Sequence, residues 1–446
     1  MRCQSLAEEV CVDARPVGAG RARQNAIYRA GAFGRRPKVP TDPTALEGAA
    51  RRSMSGDAWA YVAGGAGDGA TLRANRAAYE RWQIVPRVLR DVSHRDLSVS
   101  LFGRSLPTPL LVAPIGAAGL VRRHADVLIG RAAAAVGVPY ILSSQGSSPM
   151  EETAAAMGSS PRWYQLYWST DEALVDSFIR RAEGMGAEAL VVTLDTTMLG
   201  WRPQDLDRGS LPFARGIGIA QYTSDPRFKE LVRERVADGG AGGDIAGPRP
   251  RVTAGAVRTL ATMARETPGR FVVNLRSPLP RAAAETFMAI YSKPSLTWSD
   301  IATLSSRTTL PVVLKGILHP DDAIRARDLA VAAVMVSNHG GRQVDGAVGS
   351  LDALVDVVAA LGGAGSTTIP VLLDSGVRSG ADVVKALALG AAAVAVGRPH
   401  VYGLALDGAA GVQAVLENLL AEVDLTLGLS GLSSVAELDP TILRRA

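Results

Sequence analysis

Cysteine is almost absent from this chain of 446 residues, and both examples, Cys3 and Cys11, lie in the N-terminal tail. Two thiols so close to one end build neither a disulfide framework nor a metal-binding cage. The cysteine content therefore gives no reason to expect a structural disulfide or a bound metal ion.

Lysine is also scarce, and most of the positive charge comes from arginine, with a formal net charge of +5. The basic residues are scattered along the chain, which is typical of solvated surfaces and not of a nucleic-acid-binding face. We therefore expect no nucleic-acid partner. The lysines are Lys38, Lys229, Lys293, Lys315 and Lys385.

Long apolar runs are missing as well. No stretch of 18 consecutive apolar residues occurs, so we expect no membrane-spanning segment. The first residues include Glu8 and Glu9 and lack the apolar core of a signal peptide. These features lead us to expect a cytoplasmic protein.

Hydrophobic residues are plentiful, at 47% of the chain, which is enough to bury a large core. Eight short apolar runs are strand candidates, at residues 110–115, 139–143, 163–167, 189–195, 311–315, 333–337, 371–374 and 393–397. Helical segments lie between them, most clearly at 171–185, 320–329, 351–361 and 381–389. This alternation predicts parallel βα units.

Eight such units favour a closed (β/α)8 TIM barrel, with an open doubly wound sheet as the alternative. We divide the chain into a loosely ordered N-terminal arm (1–40), a helical capping segment (41–109), the barrel (110–430) and a C-terminal tail (431–446). The capping segment is predicted to contain a helix over about 44–62. An insertion after the fourth strand (203–296) is predicted to be a lid, and a surface insertion that serves assembly is the alternative.

The residues after the sixth strand carry the strongest functional signal, in the sequence SNHGGRQVD at 337–345. His339 and Arg342 would lie at the carboxyl end of that strand, where TIM barrels place their active sites. Histidine can act as a base near neutral pH, and arginine can hold a carboxylate through two parallel hydrogen bonds. The pair indicates removal of hydrogen from a carbon atom next to a bound carboxylate.

Other strand ends supply partners for this pair. Asp195 would fix the tautomer of His339 and stabilise the imidazolium. Arg202 would join Arg342 in a carboxylate clamp, with surface salt bridges as the less favoured alternative for both arginines. Lys315 ends an apolar strand and needs an electron-rich partner, such as a reduced flavin. Further polar residues at strand ends are Ser143, Ser144, Gln165, Tyr167 and Thr193.

The loops after the seventh and eighth strands predict a phosphate site. They contain DSGVRSG at 374–380 and GRP at 397–399. Small residues let backbone N–H groups approach an anion, and Arg378 and Arg398 add positive charge. TIM barrels frequently bind phosphate with these two loops, so we expect a phosphorylated cofactor.

Taken in order, these motifs resemble the FMN-dependent α-hydroxy acid oxidising family, which includes glycolate oxidase and lactate oxidase. The resemblance runs from about residue 41 to 430 and includes AYV at 60–62, GGAGD at 64–68, QLY at 165–167 and TLDT at 193–196. Lactate 2-monooxygenase is the more similar member, through APIG at 113–116, LGWRP at 199–203 and YTSDP at 222–226. The segment at 270–290 departs from that pattern.

The resemblance implies FMN as the cofactor and a role for each matching residue. His339 would be the active-site base, and Lys315 would face the N1/C2 carbonyl edge of the flavin. The implied catalytic residues are His339, Asp195, Tyr167, Arg342 and Lys315. The implied substrate ligands are Tyr61, Arg202, Arg342 and Tyr167. The implied cofactor contacts are Pro114, Ile115, Gly116, Ser143, Gln165, Thr193, Lys315, Asp374, Gly376, Arg378, Gly397 and Arg398.

The implied activity is oxidation of an L-2-hydroxy acid by a homotetramer or larger assembly, with O2 as the acceptor. In the lactate 2-monooxygenase reaction, L-lactate and O2 give acetate, CO2 and water. Gly116 replaces the alanine that simple oxidases usually carry beside the flavin, which would change how long the product stays bound. An enzyme for a larger aryl or biosynthetic 2-hydroxy acid is one alternative, and an inactive flavin-binding scaffold is another. Hydride transfer and prior removal of the α-proton are both open.

Overall fold

A closed barrel of eight parallel strands forms the centre of the computed structural model, which describes residues 18–239 and 253–446. We number the barrel strands in chain order: β1 (Leu110–Val112), β2 (Tyr140–Ser143), β3 (Arg162–Leu166), β4 (Leu190–Thr193), β5 (Val312–Ile317), β6 (Ala333–Val336), β7 (Val371–Leu373) and β8 (Ala393–Val396). Each strand pairs with the next along the chain, and β8 pairs with β1 in parallel, with Val394 opposite Leu110. This closure confirms the predicted TIM barrel and excludes the open sheet.

Alternate residues of the strands face two different cores, as the period of two in a strand requires. Leu111, Trp163 and Met335 belong to an inner core, whereas Leu110 and Leu142 pack with the surrounding helices. A hairpin formed by the strands Val99–Leu101 and Arg104–Leu106 adds apolar side chains to the inner core. Its Phe102 ring lies 5.4 Å from that of Trp163, near the start of β3. The hairpin thus closes the amino-terminal end of the barrel and leaves the carboxyl end for a site.

Helices surround the barrel and follow its strands. The helices of the βα units are Ala125–Val136, Met150–Met157, Glu172–Gly184, Pro320–Asp328, Ser350–Ala360, Gly380–Ala388 and Arg398–Leu429. Short 3-10 helices lie at Ala118–Leu120, Pro212–Arg215, Val435–Glu437 and Pro440–Ile442. At the C-terminus, the strand Leu443–Arg445 pairs antiparallel with Trp82–Ile84.

The helix Arg398–Leu429 is, among the described residues, long and apolar enough to cross a membrane by length and composition alone. Its backbone is kinked at Asp407 and Gly408, which have non-helical dihedral angles. Within its most apolar window, 44% is buried inside the molecule. The helix packs against Ala125–Val136 and Pro43–Ser53, so its apolar residues contribute to the core of the fold.

The N-terminal part of the chain is more ordered than the sequence led us to expect. Residues 1–17, with both cysteines, lie outside the described residues, but Ala19–Ala32 is a helix, so the expectation of a loosely ordered arm over 1–40 is wrong there. Alanine and arginine are strong helix formers. The helix is also anchored, because the Gly20 N–H donates to Asp424 Oδ2 (2.8 Å) and Arg23 Nη1 to Glu417 Oε2 (2.7 Å).

The helix predicted over 44–62 is two helices, Pro43–Ser53 and Gly56–Ala63. The break is at Met54 and Ser55, whose backbones are extended, and Ser55 caps the second helix by accepting from the Ala58 N–H at 3.2 Å. A side chain that hydrogen-bonds the backbone in this way competes with helix continuation. The fourth helix before the barrel is Ala70–Glu80.

The insertion is helical and is packed against the barrel. Its helices, with those leading into β5, are Pro203–Leu206, Ala220–Ser224, Pro226–Ala237, Ala254–Glu266, Phe271–Arg276, Leu279–Ile290, Trp298–Ala302 and Leu304–Arg307. The Tyr222 ring lies 4.9 Å from Phe178 of the barrel helix Glu172–Gly184 and 4.8 Å from Phe287. The glycine-rich stretch at 238–243 lies partly outside the described residues, which end at 239 and resume at 253.

Candidate active site

A cleft opens at the carboxyl end of the barrel, where TIM barrels bind small molecules. Most of the site residues predicted from the sequence line it: Tyr61, Pro114, Ile115, Gly116, Tyr167, Arg202, Lys315, His339, Arg342, Asp374, Gly376, Arg378, Gly397 and Arg398. The other four, which do not line it, are Ser143, Gln165, Thr193 and Asp195. The barrel thus brings together side chains that lie up to about three hundred residues apart in sequence.

His339 is held between a carboxylate and a phenol. Its Nδ1 lies 2.9 Å from Asp195 Oδ1 and its Nε2 lies 3.5 Å from the Tyr167 hydroxyl. An ionised carboxylate only accepts hydrogen bonds, so Nδ1 carries the proton and Nε2 presents its lone pair to the cleft. Thr196 Oγ1, at 3.3 Å from Nδ1, also contacts this pair. The backbone of His339 is left-handed (φ 56°), which starts the tight turn through Gly340 and Gly341.

The protonation states suit a base. Burial lowers the pKa of His339 below its usual value, and the positive charges of Lys315 and Arg202 lower it further. The negative charge of Asp195 raises the pKa but does not outweigh these effects. Burial would raise the pKa of Asp195, but the charges of His339 and Lys315 hold it at about 2. Burial raises the pKa of Tyr167 to about 12. Near pH 7 the site therefore contains a neutral imidazole, an ionised aspartate and a phenol that can donate.

Arg202 and Arg342 form a second, cationic part of the cleft. Arg202 is buried, with Nε donating to the Arg342 carbonyl (3.1 Å) and Nη2 to Gln343 Oε1 (2.8 Å). Arg342 Nη1 donates to the carbonyls of Tyr61 and Gly64, and its guanidinium lies 4.8 Å from the centre of the Tyr61 ring. Within the described part of the chain neither arginine forms an ion pair, so the surface salt bridge interpretation is wrong.

Two neighbouring cations without paired carboxylates favour an anionic ligand. Their proximity has a measurable effect on acidity, because burial, and then the charge of Arg202, lowers the pKa of Arg342 to about 9. An arriving carboxylate would offset both contributions, since it supplies the opposite charge. Arg202 and Arg342 can therefore hold a carboxylate beside His339.

Lys315 is buried and already has a protein partner. Its Nζ donates to Ser337 Oγ (2.8 Å) and lies 3.1 Å from Asp374 Oδ2. Burial lowers its pKa, but the charges of Asp374 and Asp195 outweigh burial and raise it overall. The expectation that Lys315 needs a flavin as its electron-rich partner is thus corrected, because Asp374 fulfils that need within the protein.

The loops after β7 and β8 form the other end of the cleft. Gly376 has a left-handed backbone (φ 87°), and a Cβ there would lie 2.9 Å from the Asn75 carbonyl oxygen, so this turn requires glycine. The backbone N–H of Arg378 donates to Asp382 Oδ2 at 2.8 Å. The Nη1 of the Arg378 side chain donates to the carbonyl of Val377 at 2.9 Å. This leaves most of the Arg378 guanidinium available to an anion.

Arg398 has a different environment from the one expected of a phosphate ligand. Three of its N–H groups donate to the carbonyls of Val62, Gly340 and Gly64, each at 2.9 Å. Burial and the charge of Arg378 lower its pKa to about 10. Arg398 therefore fastens the helix Gly56–Ala63 to the turn that carries His339, and only its remaining N–H groups can reach a phosphate.

A row of buried side chains lies behind the cleft wall. Ser143 Oγ donates to Gln165 Oε1 at 2.8 Å, and Gln165 Nε2 donates to Thr193 Oγ1 at 2.9 Å. Ser143 and Thr193 are the last residues of β2 and β4, and Gln165 is the last but one of β3. Ser143 lies opposite Gln165 in the sheet, whereas the residue of β4 opposite Gln165 is Val191, two positions before Thr193. The row fixes the orientation of the Gln165 amide, which suits it to a ligand with defined donors and acceptors.

Several residues of the cleft were missed in the sequence: Gln145, Thr196, Leu199, Phe213, Tyr291, Ser375 and Val377. Thr196 and Ser375 directly follow predicted residues, so their position was a usable signal. Phe213 and Tyr291 come from the insertion, where no strand end or motif marks them. Their side chains line the cleft and their ring centres lie 6.5 Å apart, and the assignment of the insertion as a lid stays a prediction.

Gly116 and Gln145 form a packed pair. A Cβ on Gly116 would lie 2.8 Å from Gln145 Cβ, too close for two carbon atoms. Gln145 is buried (6% exposed), lines the cleft, and its side-chain amide makes no hydrogen bond with the described residues. The space left by the missing methyl group at 116 is therefore occupied by Gln145 and is not empty.

Comparison with known proteins agrees with this geometry. The model of the FMN-dependent dehydrogenase family matches residues 50–445. The chain is 41% identical to an FMN-dependent alpha-hydroxy acid dehydrogenase of Penicillium citrinum, covering 96% of this chain and 97% of that protein. It is 39% identical to an L-lactate oxidase of Lysinibacillus sphaericus (strain C3-41), covering 87% and 89%. A crystal structure of mandelate oxidase with (S)-4-hydroxymandelic acid superposes with a TM-score of 0.73 at 35% identity, covering 91% and 99%.

The chain belongs to the FMN-dependent dehydrogenase family. The two relatives described above are an α-hydroxy acid dehydrogenase and an L-lactate oxidase. The chain is an oxidoreductase that oxidises a 2-hydroxy acid, and its cofactor is FMN. The cleft fits this cofactor, because the glycine turn at 376 and Arg378 can hold a phosphate. Lys315, which lies opposite Thr193 in the neighbouring strand, supplies a positive charge at the end of the Ser143–Gln165–Thr193 row.

Proposed function

We propose that the protein oxidises an L-2-hydroxy acid to the 2-keto acid and transfers the electrons to O2. The observation that carries this proposal is the neutral His339, paired with Asp195 at 2.9 Å, in the same cleft as two arginines without ion pairs among the described residues. A carboxylate held by Arg202 and Arg342 would place the adjacent carbon and its hydroxyl near His339 Nε2.

The protein side chains have distinct roles in this reaction. His339 Nε2 accepts a proton from the substrate, and Asp195 stabilises the resulting imidazolium. The Tyr167 hydroxyl, 3.5 Å from Nε2, donates to the substrate oxygen. Gly376, Arg378, Gly397 and Arg398 would hold the ribityl phosphate, and Asp374, whose carboxylate only accepts hydrogen bonds, would accept from the ribityl hydroxyl groups. Ser143, Gln165, Thr193, Lys315 and Gly116 with its neighbours Pro114 and Ile115 would contact the ring system. When bound, FMN accepts the two electrons that leave the substrate carbon.

As the particular reaction we propose that of lactate 2-monooxygenase. L-lactate and O2 first give pyruvate and hydrogen peroxide, and these two then react to give acetate, CO2 and water. The second step needs pyruvate to remain beside the peroxide. The motifs at 113–116, 199–203 and 222–226 support this proposal, and so do Phe213 and Tyr291 of the insertion, because aromatic side chains that line the cleft narrow the space through which pyruvate can leave.

A larger aryl or biosynthetic 2-hydroxy acid is the second candidate, and the aromatic wall of the cleft favours it. Tyr61, Phe213 and Tyr291 pack on one another, with ring centres 6.3 Å apart for Tyr61 and Phe213 and 6.5 Å apart for Phe213 and Tyr291. Aromatic rings stack on other rings with useful energy, about 0.5–1.5 kcal/mol per pair. The similarity to a mandelate oxidase that was crystallised with (S)-4-hydroxymandelic acid points the same way.

An anaerobic visible spectrum tests both candidates. The purified holoenzyme is mixed with L-lactate or with (S)-mandelate, and bleaching of the flavin bands is followed. Bleaching by lactate, with acetate and no pyruvate formed in air, would support the monooxygenase proposal. If lactate bleaches the flavin bands but the products formed in air are pyruvate and free hydrogen peroxide, the protein is an oxidase and not a monooxygenase. Bleaching only by mandelate would favour the second candidate, and bleaching by no 2-hydroxy acid would contradict the proposed function.

We also propose that the protein is a homo-oligomer of four or more copies. Exposed apolar side chains on the insertion support this, including Val257, Val272 and Val273, which are 57%, 57% and 58% exposed. Apolar surface of this kind is often covered in an assembly. Light scattering of the holoenzyme that gave the mass of a single chain would contradict the proposal.

A further inference from the structure

Asn338 directly precedes His339, and the proposed reaction makes no use of its buried side chain. Asn338 is 5% exposed, and Asn75 of the helix Ala70–Glu80, which contacts it, is 2% exposed. The two side-chain amides bind each other reciprocally: Asn75 Nδ2 donates to Asn338 Oδ1 at 2.9 Å, and Asn338 Nδ2 donates to Asn75 Oδ1 at 2.7 Å. Each amide must present its donor to the acceptor of the other, so the pair fixes the orientation of both side chains.

Both amides also bind the backbone of the loop that follows β6. Asn338 Oδ1 accepts from the Gly341 N–H at 3.1 Å, and Asn338 Nδ2 donates to the Val348 carbonyl at 3.0 Å. Asn75 Oδ1 accepts from the Ser350 N–H at 3.0 Å. A hydrogen-bond network buried away from water is strong and holds its members in one arrangement. The pair therefore connects the helical capping segment to both ends of this loop.

The turn at the start of the loop needs such support. His339, Gly340 and Gly341 have φ angles of 56°, 64° and 72°, so three successive residues are left-handed. Glycine adopts this conformation readily, but a histidine there is strained and persists because its surroundings hold it. The Gly341 N–H closes the turn by donating both to the Asn338 carbonyl at 3.0 Å and to Asn338 Oδ1 at 3.1 Å. Asn75 keeps Oδ1 in the position where the second of these bonds forms.

Other contacts of the turn leave the Asn338 side chain free to rotate. The Gly340 N–H donates to Ser375 Oγ at 2.9 Å, and the Gly341 carbonyl accepts from the Ala66 N–H at 2.8 Å. These bonds attach the two glycines to neighbouring loops. Without its partner on the helix, the amide of Asn338 would lose one acceptor and one donor, and the bond that closes the turn would depend on an unrestrained side chain.

We infer that Asn75 is a positioning residue that acts through Asn338 to hold His339 beside Asp195. The inference rests on the proposed role of His339 as the base. His339 Nδ1 lies 2.9 Å from Asp195 Oδ1, and a rotation of the turn would move the imidazole away from that carboxylate. A displaced base slows proton transfer. The two arginines of the clamp have hydrogen bonds of their own, so binding of the substrate carboxylate should be less affected.

The test compares the holoenzyme of Asn75→Leu with the wild type. Leucine is close to asparagine in shape and favours a helix, but its side chain forms no hydrogen bond. L-lactate, or (S)-mandelate if lactate does not reduce the wild type, is mixed anaerobically with each protein at rising concentration, and bleaching of the flavin bands is followed. The limiting rate of reduction should fall by about 10- to 100-fold, the effect of displacing a reacting group by about 1 Å. The dissociation constant of the substrate should change far less.

Further variants separate positioning from a loss of stability. Thr71 lies one turn earlier on the same helix, where its Oγ1 donates to the Val344 carbonyl at 2.8 Å and accepts from the Ala347 N–H at 2.9 Å. Thr71→Val removes these bonds to the same loop and leaves the asparagine pair intact, so the protein should lose stability but keep its reduction rate. Asn75→Asp retains the oxygen that accepts from Asn338 Nδ2 and should recover part of the rate. If Asn75→Leu does not fold, Asn75→Ala removes the same bonds with a smaller side chain.

A crystal structure of the Asn75→Leu holoenzyme measures the displacement directly. The distance from His339 Nδ1 to Asp195 Oδ1 should lengthen from 2.9 Å to beyond the about 3.2 Å of a hydrogen bond. Three results would overturn the inference: a limiting rate equal to that of the wild type, an imidazole that has not moved, or a Thr71→Val protein that is slowed as much as Asn75→Leu. Failure of the proposed function looks different. In that case neither acid reduces the wild type, while the position of the imidazole in the variant still decides whether Asn75 positions His339.

Discussion

The Nδ1 atom of His339 lies 2.9 Å from Oδ1 of Asp195, and this contact determines which imidazole nitrogen faces the cleft. Burial lowers the pKa of His339, and the negative charge of Asp195 partly offsets this effect by raising it. Asp195 therefore acts on His339 in two ways: it fixes the tautomer, and it favours uptake of a proton by Nε2 when substrate is bound.

Replacing Asp195 with asparagine separates these effects from simple packing. Without the charge, the pKa of His339 falls further, so the acid limb of the rate profile should move to lower pH. The plateau rate of flavin reduction should fall by at least about 100-fold, because nothing then stabilises the imidazolium. Stopped-flow absorbance measures both. Asp321→Asn is the control, because Asp321 lies 3.7 Å from His319 in an exposed pair. An unchanged plateau in Asp195→Asn would contradict the role of the pair.

His339→Gln should retain FMN but reduce it slowly. Glutamine keeps a polar side chain in the turn but cannot accept a proton, so the rate of flavin reduction should fall by about 10²–10⁴-fold. The flavin content per chain should stay near the wild-type value, since His339 is not among the proposed phosphate ligands. His94→Gln, at an exposed position, is the control. Normal reduction rates in His339→Gln would reject it as the base.

The pH dependence of kcat/KM should be bell-shaped. His339 accepts a proton only when neutral, and its pKa lies below the ordinary 6.5, so activity should persist at pH 6.5 and disappear at lower pH. Arg342 binds a carboxylate only when charged, and its pKa is about 9, so activity should also decline as the pH rises through about 9. Steady-state rates in buffers of constant ionic strength check both limbs. A profile that stays level from pH 8 to 10 would contradict the alkaline limb and show that Arg342 keeps its charge.

Arg342→Lys should weaken substrate binding more than it slows chemistry. Lysine keeps the positive charge but lacks the planar guanidinium group. In Arg342 that group donates to the carbonyls of Tyr61 and Gly64 through one nitrogen and has other N–H groups left to bind a carboxylate. Loss of one charged hydrogen bond, about 1.5–3 kcal/mol, corresponds to a rise in KM of about 10- to 100-fold. Arg325→Lys at an exposed site is the control. A KM within twofold of the wild type would show that the fork is not used.

The sequence predicted the barrel and its reactive end because both follow from local patterns. Apolar runs with polar ends identify parallel strands, and closure places those ends together, so His339, Asp195 and Arg342 can be grouped from the sequence alone. The partners that depend on long-range packing could not be predicted. No local pattern shows that Asp374 pairs with Lys315, or that Arg398 donates to the carbonyl of Val62.

The insertion and the N-terminal helix show the same limit. Phe213 and Tyr291 reach the cleft because Phe287 packs against both of them, which is a tertiary contact without a sequence period. The helix Ala19–Ala32 was missed because its stability depends on Asp424 and Glu417, some four hundred residues away. Helical propensity alone is a weak signal in a short segment rich in glycine.

Gly116 offers the sharpest test of how the cleft is packed. In Gly116→Ala the new methyl group would lie 2.8 Å from Gln145 Cβ and 2.9 Å from its Oε1, so one of the two segments must move. Overpacking of this kind costs about 1–3 kcal/mol, and the free energy of unfolding of the holoenzyme should fall by that amount. Adding Gln145→Gly should recover most of the loss, because glycine has neither the Cβ nor the Oε1 that the methyl group meets. Gly31→Ala is the control, since nothing lies within 4 Å of a Cβ there and the residue is helical.

If the protein has the proposed lactate 2-monooxygenase activity, variants of the same pair also show whether Gly116 or Gln145 is responsible for retention of the product. If the absence of a side chain at 116 retains the product, Gly116→Ala alone should change the ratio of acetate to pyruvate, and the double variant should keep the changed ratio. If the position of the Gln145 side chain is responsible, Gln145→Ala alone should change the ratio while Gly116 is intact. We expect the second result, because Gln145 occupies the space at 116 and lines the cleft. If Gln145→Ala left the ratio of acetate to pyruvate unchanged, the absence of a side chain at Gly116 would be the cause of product retention.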